Sequence, residues 1–191
     1  MLRKILVALI GIGLLGVIAG VTSLAVFTSS ASVGGNTFTT GTVVISTAPA
    51  SALVTFSNMA PGDTTTQSLV VTNGGTLSLR YAISSVATNT DAKGLKDQLV
   101  LTIKTIDVTT PGVPCDNFDG TQLYTGDLDG TTGALVGSSA QGAQAGDRTL
   151  ASGSETLCFR VNLPLATGNA FQNATTTATF TFDAEQTANN P

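Results

Sequence analysis

Apolar and polar residues alternate between turn clusters, most clearly in the second half of the chain. From Thr176 to Ala184, Ala178, Phe180, Phe182 and Ala184 fall on one face, and Thr177, Thr179, Thr181 and Asp183 on the other. Thr156 to Leu163 repeats this, with Leu157, Phe159, Val161 and Leu163 toward a core and Cys158, Arg160 and Asn162 away from it. A period of two marks a strand with one covered face. Leu79 to Val86 sets Leu79, Tyr81 and Ile83 against Arg80, Ala82 and Ser84, while Leu99 to Ile106 presents Leu99, Leu101 and Ile103. Shorter runs at Thr42 to Ser46, Ala52 to Phe56 and Ser68 to Thr72 bring the set to about seven strands, with a weaker candidate near Leu123. Pro61-Gly62-Asp63, Asn73-Gly74-Gly75, Pro111-Gly112 and Asp119-Gly120 are turn signals between them. The pattern predicts an all-β fold, a two-layer antiparallel sandwich.

Two stretches break the rhythm. Asp91 to Gln98, carrying Lys93, Lys96 and Asp97, reads as one short helical turn. Residues 111–153 are rich in Gly, Ser, Asp and Gln with few large apolar side chains, so an excursion with one or two weak hairpins is expected there, the most mobile part of the chain.

The N-terminus carries a different pattern. Basic Arg3 and Lys4 precede an uncharged apolar run from Ile5 to Ala19, followed by Ser23-Leu24-Ala25-Val26-Phe27. That layout predicts a signal-peptide helix over residues 1–26, cut in the region of Ala25, Val26 and Phe27, with Ser29-Ser30-Ala31 as a second small-residue site. A retained anchor is the competing reading, because no charge falls between Lys4 and Asp63 and about 20 apolar residues suffice to span a bilayer. Glycines between Gly11 and Gly20 favour the cleaved leader. The remainder divides into an N-terminal segment, 27–41, and a β-sandwich domain, 42–191. Removal of the leader leaves roughly 165 residues, enough for one domain with a real core.

Charge and composition narrow the function. The leader holds two of the eight basic residues and none of the twelve acidic ones, so the mature chain is more acidic than the net charge of −4 suggests. Such a chain lacks the clustered Lys and Arg that nucleic-acid binding requires. Its only expected link to a membrane is the uncleaved leader. Thr, Ser, Gly, Ala and Val dominate the mature part, which suits pleated strands with a hydroxyl-covered surface. Cys115 and Cys158 lie in what reads as an exported region, where disulfides persist. Pairing would close a loop of about 44 residues and restrict the unfolded chain by roughly 4 kcal/mol; two separately buried thiols is the other reading.

Histidine is absent from the chain. That removes the commonest general base and the usual zinc ligand. The only glutamates, Glu155 and Glu185, sit in no acid-base motif. No catalytic residue, cofactor or metal site is therefore expected. Asp127-Leu128-Asp129-Gly130, with Asp116, Asn117 and Asp119, offers hard oxygens for calcium, but the twelfth residue counted from Asp127 is Ser138 rather than glutamate. Solvated Asp-Gly turns account for the same residues. Asn173-Ala174-Thr175 matches a glycosylation acceptor, which matters only in a host with the appropriate machinery.

An ordered series of short motifs runs through the chain. Ser23-Leu24-Ala25-Val26-Phe27 is followed by Gly35-Asn36-Thr37-Phe38, Gly41-Thr42, Asn58-Met59-Ala60-Pro61-Gly62-Asp63 and Asn73-Gly74-Gly75-Thr76-Leu77. Leu163-Pro164, Thr167-Gly168-Asn169, Phe171-Gln172 and a closing strand through Phe180, Phe182, Ala184 and Gln186 complete it. This succession resembles the TasA and camelysin family of exported proteins, whose leaders are removed by a SipW-type signal peptidase. The resemblance implies a jelly-roll or immunoglobulin-like sandwich, a cut close to Phe27 and, in the TasA branch, extracellular fibres that scaffold biofilm matrix; related archaeal bundling pili are built similarly. The camelysin branch carries a metallopeptidase label, which a chain without histidine puts in doubt.

The leading expectation is a secreted structural subunit of the extracellular matrix or cell surface whose partners are copies of itself, with a signal peptidase acting during export. The candidate donor strand is Phe27, Thr28, Ser29, Ser30, Ala31, Ser32 and Val33, uncharged and free of proline, as strand addition to a neighbour's sheet requires. A head-to-tail contact of that kind does not close, so a filament follows. A disordered tail on a monomeric sandwich, or a surface adhesin using 111–153 as its contact loop, are the alternatives.

Overall fold

The computed structural model describes residues 29, 31, 34–35, 37–51, 53, 58–106 and 112–190. The leader, including Ala25, Val26 and Phe27, lies outside the described residues. The chain divides into two units, Met1–Thr39 and Thr40–Pro191. The described residues of the first belong to no helix or strand. The regular structure of the second is almost wholly antiparallel strand.

Strands β1 (Ile45–Ala48), β2 (Thr64–Asn73), β3 (Leu79–Ala87), β4 (Val100–Thr105), β5 (Gln122–Gly126), β6 (Ala134–Val136), β7 (Arg148–Leu150), β8 (Gly153–Asn162) and β9 (Ala178–Gln186) follow in chain order. A single helical turn, α1 (Leu95–Gln98), precedes β4 where the 91–98 stretch breaks the alternation. The first sheet runs β1-β2-β8-β4-β5. Its centre is the long pair β2 and β8, with Thr64 opposite Asn162 and Asn73 opposite Gly153. In the second sheet, β3 is central. Strand β9 follows it from Leu79 opposite Gln186 to Ala87 opposite Ala178. The short strands β7 and β6 pair with β3 too, through Leu79–Tyr81 and Ile83–Ser84 respectively.

Alternation dictates the core. Leu69 and Val71 of β2, Leu101 and Ile103 of β4, and Leu157, Phe159 and Val161 of β8 meet Leu79, Tyr81 and Ile83 of β3 and Leu135 and Val136 of the second sheet in one cluster. Phe159 and Phe180 lie edge to face at 5.3 Å, which links the two sheets. Such an aromatic pair adds roughly 0.5–1.5 kcal/mol to the area it buries.

Three local expectations change. Residues 112–153 do not stand apart from the sandwich: β5 extends the first sheet, β6 and β7 complete the second, and Leu128, Leu135 and Val136 enter the core. The average composition is polar, but these apolar residues stand at core-facing positions, and a few suffice. Arg80 and Ala82, placed on the wet face by alternation, are buried. The guanidinium of Arg80 donates to the Asn190 carbonyl and lies 3.2 Å from the Glu185 carboxylate, so the C-terminal residues cover that face. Thr42–Val44 precede β1 and bond to the turn after β2, where Gly74 N–H donates to Val44 and Thr76 N–H to Thr42. Gly75 is required there, because a Cβ would collide with the Thr42 carbonyl oxygen. The expected strand at Ala52 to Phe56 lies outside the described residues apart from Leu53, which packs half-buried against the core. Among the described residues, no helix is long and apolar enough to cross a membrane.

Candidate functional site

Two of the sequence motifs close opposite ends of the β2–β8 pair. At one end, Asn73 is buried and its side chain ties two turns together. Its amide Nδ2 donates to the carbonyls of Leu77 (2.9 Å), Leu150 (3.1 Å) and Ala151 (3.3 Å), and its Oδ1 accepts from Gly75 N–H (2.9 Å). The β2–β3 turn is thereby fixed to the β7–β8 turn. At the other end, Asp63 Oδ2 accepts from Ala60 N–H at 2.8 Å, and Asp63 N–H returns a bond to the Ala60 carbonyl. Gly62 N–H donates to the Leu163 carbonyl, and Leu163 N–H to the Asp63 carbonyl. The Pro61-Gly62-Asp63 turn therefore secures the end of β8. Both motifs satisfy backbone groups that chain reversal would otherwise leave unpaired.

A polar cluster that the sequence did not suggest joins buried Tyr81 to half-buried Glu155 and Arg148. Tyr81 of β3 donates its hydroxyl to Glu155 Oε1 at 2.6 Å, and Arg148 of β7 donates to Glu155 Oε2 at 2.5 Å. Burial above all, and then the Glu155 carboxylate, push the Tyr81 hydroxyl well above its ordinary pKa. Hydrogen bonding to Glu155 raises Arg148 in turn. With both oxygens engaged, Glu155 is a tie between sheets rather than a free base. Tyr81 is remote in sequence from the other two, and Arg148 falls in the polar stretch, so no local spacing marks the three.

A second cluster sits apart from the main core. Cys115 and Cys158 form a disulfide with Cα atoms 5.5 Å apart. Together with Phe118 they make a separate buried group, with Ile106 packed beside it. The Arg160 guanidinium stacks 3.6 Å from the Phe118 ring centroid, and Lys104 Nζ lies 5.0 Å from it. Lys104 also donates to the Phe118 carbonyl at 3.1 Å, and Arg160 Nε to Thr66 Oγ1 at 2.9 Å. Burial holds Arg160 below the usual arginine pKa.

The calcium candidates are otherwise engaged. Lys96 Nζ pairs with Asp129 Oδ2 at 2.8 Å and with Asp97 at 3.1 Å, and these bonds raise the lysine pKa. The Asp127 carbonyl accepts from the Tyr124 hydroxyl, whose pKa is raised by burial and then by Asp127 and Asp129. Asn117 links Asp116 and Asp119: its N–H donates to Asp116 Oδ1 and its Nδ2 to Asp119 Oδ2. Of the candidate donor strand, Phe27, Thr28, Ser30, Ser32 and Val33 lie outside the described residues, and Ser29 and Ala31 are exposed and outside any strand.

Both turn motifs lie within the part of the chain that a family model, described as camelysin metallo-endopeptidase, matches: residues 2–105. The chain belongs to this family. The match covers β1 to β4 and ends with Thr105. No curated protein is similar enough to the chain to match.

The camelysin name implies a catalytic metal, usually zinc held by three protein ligands. The donor set does not fit one. The chain has no histidine, both cysteines are spent in the disulfide, and among the described residues no group of three or more metal-ligating side chains converges. The carboxylates nearest to such a role, Glu155 and Glu185, face Arg148 and Arg80.

Proposed function

We propose that this chain is an exported structural subunit that assembles with copies of itself into extracellular fibres or pili, by adding its freed N-terminal segment to a neighbour's sheet. The observation that carries the reading is the long edge of β9: its nine residues pair with β3, and among the described residues no strand occupies their other side. An extended edge without proline is a ready template for a further strand. Camelysin family membership and the uncharged segment from Phe27 to Val33 support the same reading. The two antiparallel sheets sharing one core support a jelly-roll or immunoglobulin-like sandwich as the frame. A signal peptidase cutting near Phe27 would release the donor segment, making cleavage the switch for assembly.

The test compares the leader-free protein with a version beginning at Thr37 by negative-stain electron microscopy. Fibres from the first alone are expected. Fibres from both would remove the donor segment from the mechanism, and monomers from both would end the fibre reading.

The family description favours a second reading, a metallo-endopeptidase. It requires casein cleavage that a chelator abolishes, and the donor set described above predicts no such cleavage.

A further inference from the structure

We propose that Asn173 carries an N-linked glycan. Asn173-Ala174-Thr175 is the chain's single Asn-x-Ser/Thr triplet, the acceptor pattern for glycan attachment on surface loops of exported proteins. The fold presents it at the apex of a clamped loop. A 3-10 turn, Asn169–Phe171, leads into it, and Ala174 N–H donates back to the Phe171 carbonyl at 3.1 Å. Asn173 takes the left-handed conformation, φ 56°, which asparagine tolerates better than most residues.

Both flanks are fastened to the loop after β3. Lys93 Nζ donates to the Gln172 carbonyl at 2.5 Å, and Thr175 N–H to Asp91 Oδ2 at 2.7 Å. Thr176 Oγ1 and Thr177 N–H bond to Thr88. The Thr175 N–H foremost, and then the backbone N–H of Lys93, holds the Asp91 carboxyl below its ordinary pKa. Between the anchors, Asn173 and Thr175 are exposed. Among the described residues, neither the Asn173 carboxamide nor the Thr175 hydroxyl has a hydrogen-bond partner. The nucleophilic amide and the hydroxyl that an acceptor triplet supplies are therefore both presented to solvent, while the backbone around them is already satisfied.

The donor would be an oligosaccharide on a polyprenyl phosphate or pyrophosphate, used by a membrane oligosaccharyltransferase. Asn173 Nδ2 forms the bond to the sugar C1 as the C1–oxygen bond to phosphate breaks. The polyprenyl phosphate or pyrophosphate leaves with that electron pair, and the amide proton passes to a base of the transferase.

Because attachment occurs on translocated chains, the proposal rests on the export reading. The full chain is expressed in its own host, cells and medium are separated, and the intact mass and the peptide spanning Asn173 are measured in each. Extracellular protein heavier than the leader-free sequence by an oligosaccharide at Asn173 is expected. Asn173→Gln and Thr175→Ala should abolish that increment, and Thr175→Ser should keep it, with unfolding midpoints close to wild type for all three. Extracellular protein with a bare Asn173 overturns the site and leaves export standing. An unmodified chain confined to the cytoplasm overturns both.

Discussion

The main core and the small cluster under the disulfide bury similar chemistry by opposite means. Phe159 is covered because β8 alternates and two sheets close over the inward face. Phe118 is only 8% exposed on the other side of that sheet, in a loop with no strand pattern. There, the disulfide, the stacked Arg160 and the bond from Lys104 to the Phe118 carbonyl do the holding. Cys115 and Phe118 both take left-handed backbone conformations, φ 68° and 49°, which cost such residues free energy. Gly120 lets this loop pass close to Thr105, where a Cβ would strike the carbonyl oxygen. Continuous packing makes the first region self-sufficient; the second depends on a covalent clip and a few specific contacts.

Phe159→Ala should have the largest effect, a loss of about 3–5 kcal/mol in denaturant unfolding, because it opens a cavity between the sheets. Replacing Cys115 and Cys158 together by serine should cost less, about 2–4 kcal/mol, and should make residues 112–121 the first site of limited proteolysis. If the double serine variant unfolds as a whole at a cost above that of Phe159→Ala, the two regions are not independent.

The Tyr81 tie tests a polar joint between the two sheets of the main core. Tyr81→Phe should cost about 1 kcal/mol at neutral pH. Because folding raises the Tyr81 pKa, the neutral hydroxyl stabilises the fold below the unfolded value of about 10, and that contribution is lost as pH rises above it. The alkaline limb of a thermal-unfolding series should therefore flatten in Tyr81→Phe. The smallest effect is expected from Arg160→Met, about 0.5–1 kcal/mol for the lost cation-π stacking, read as a shift in the denaturant midpoint. A loss as large as that of the disulfide would show that Arg160, not the bridge, anchors the loop.

The strand segments at Leu79 to Val86, Leu99 to Ile106, Thr156 to Leu163 and Thr176 to Ala184 were legible because alternation is a local property, shared between every residue and its next-but-one neighbour. The faces of β8 were legible for the same reason: Leu157, Phe159 and Val161 point to the core and Cys158 points away. Which faces stay wet was not. Cys158 is 1% exposed and Arg80 7%, since the loop through Cys115 and Phe118 covers one and the C-terminal residues help cover the other. The motif residues around Asn73 and Asp63 announced turns and a family, but not that they fasten the two ends of one strand pair.

Sequence by itself determined the all-β class, the core-facing positions of the long strands, the turn sites and the lack of histidine chemistry, all of which depend on residue type and short spacing. Tertiary structure decided the strand order, the recruitment of β5, β6 and β7 into the two sheets, the meeting of Tyr81 with Arg148 and Glu155, and the exposure of Asn173 between its anchors. These depend on which distant segments pack together, and burial and hydrogen bonding are settled by that packing rather than by any residue's immediate neighbours.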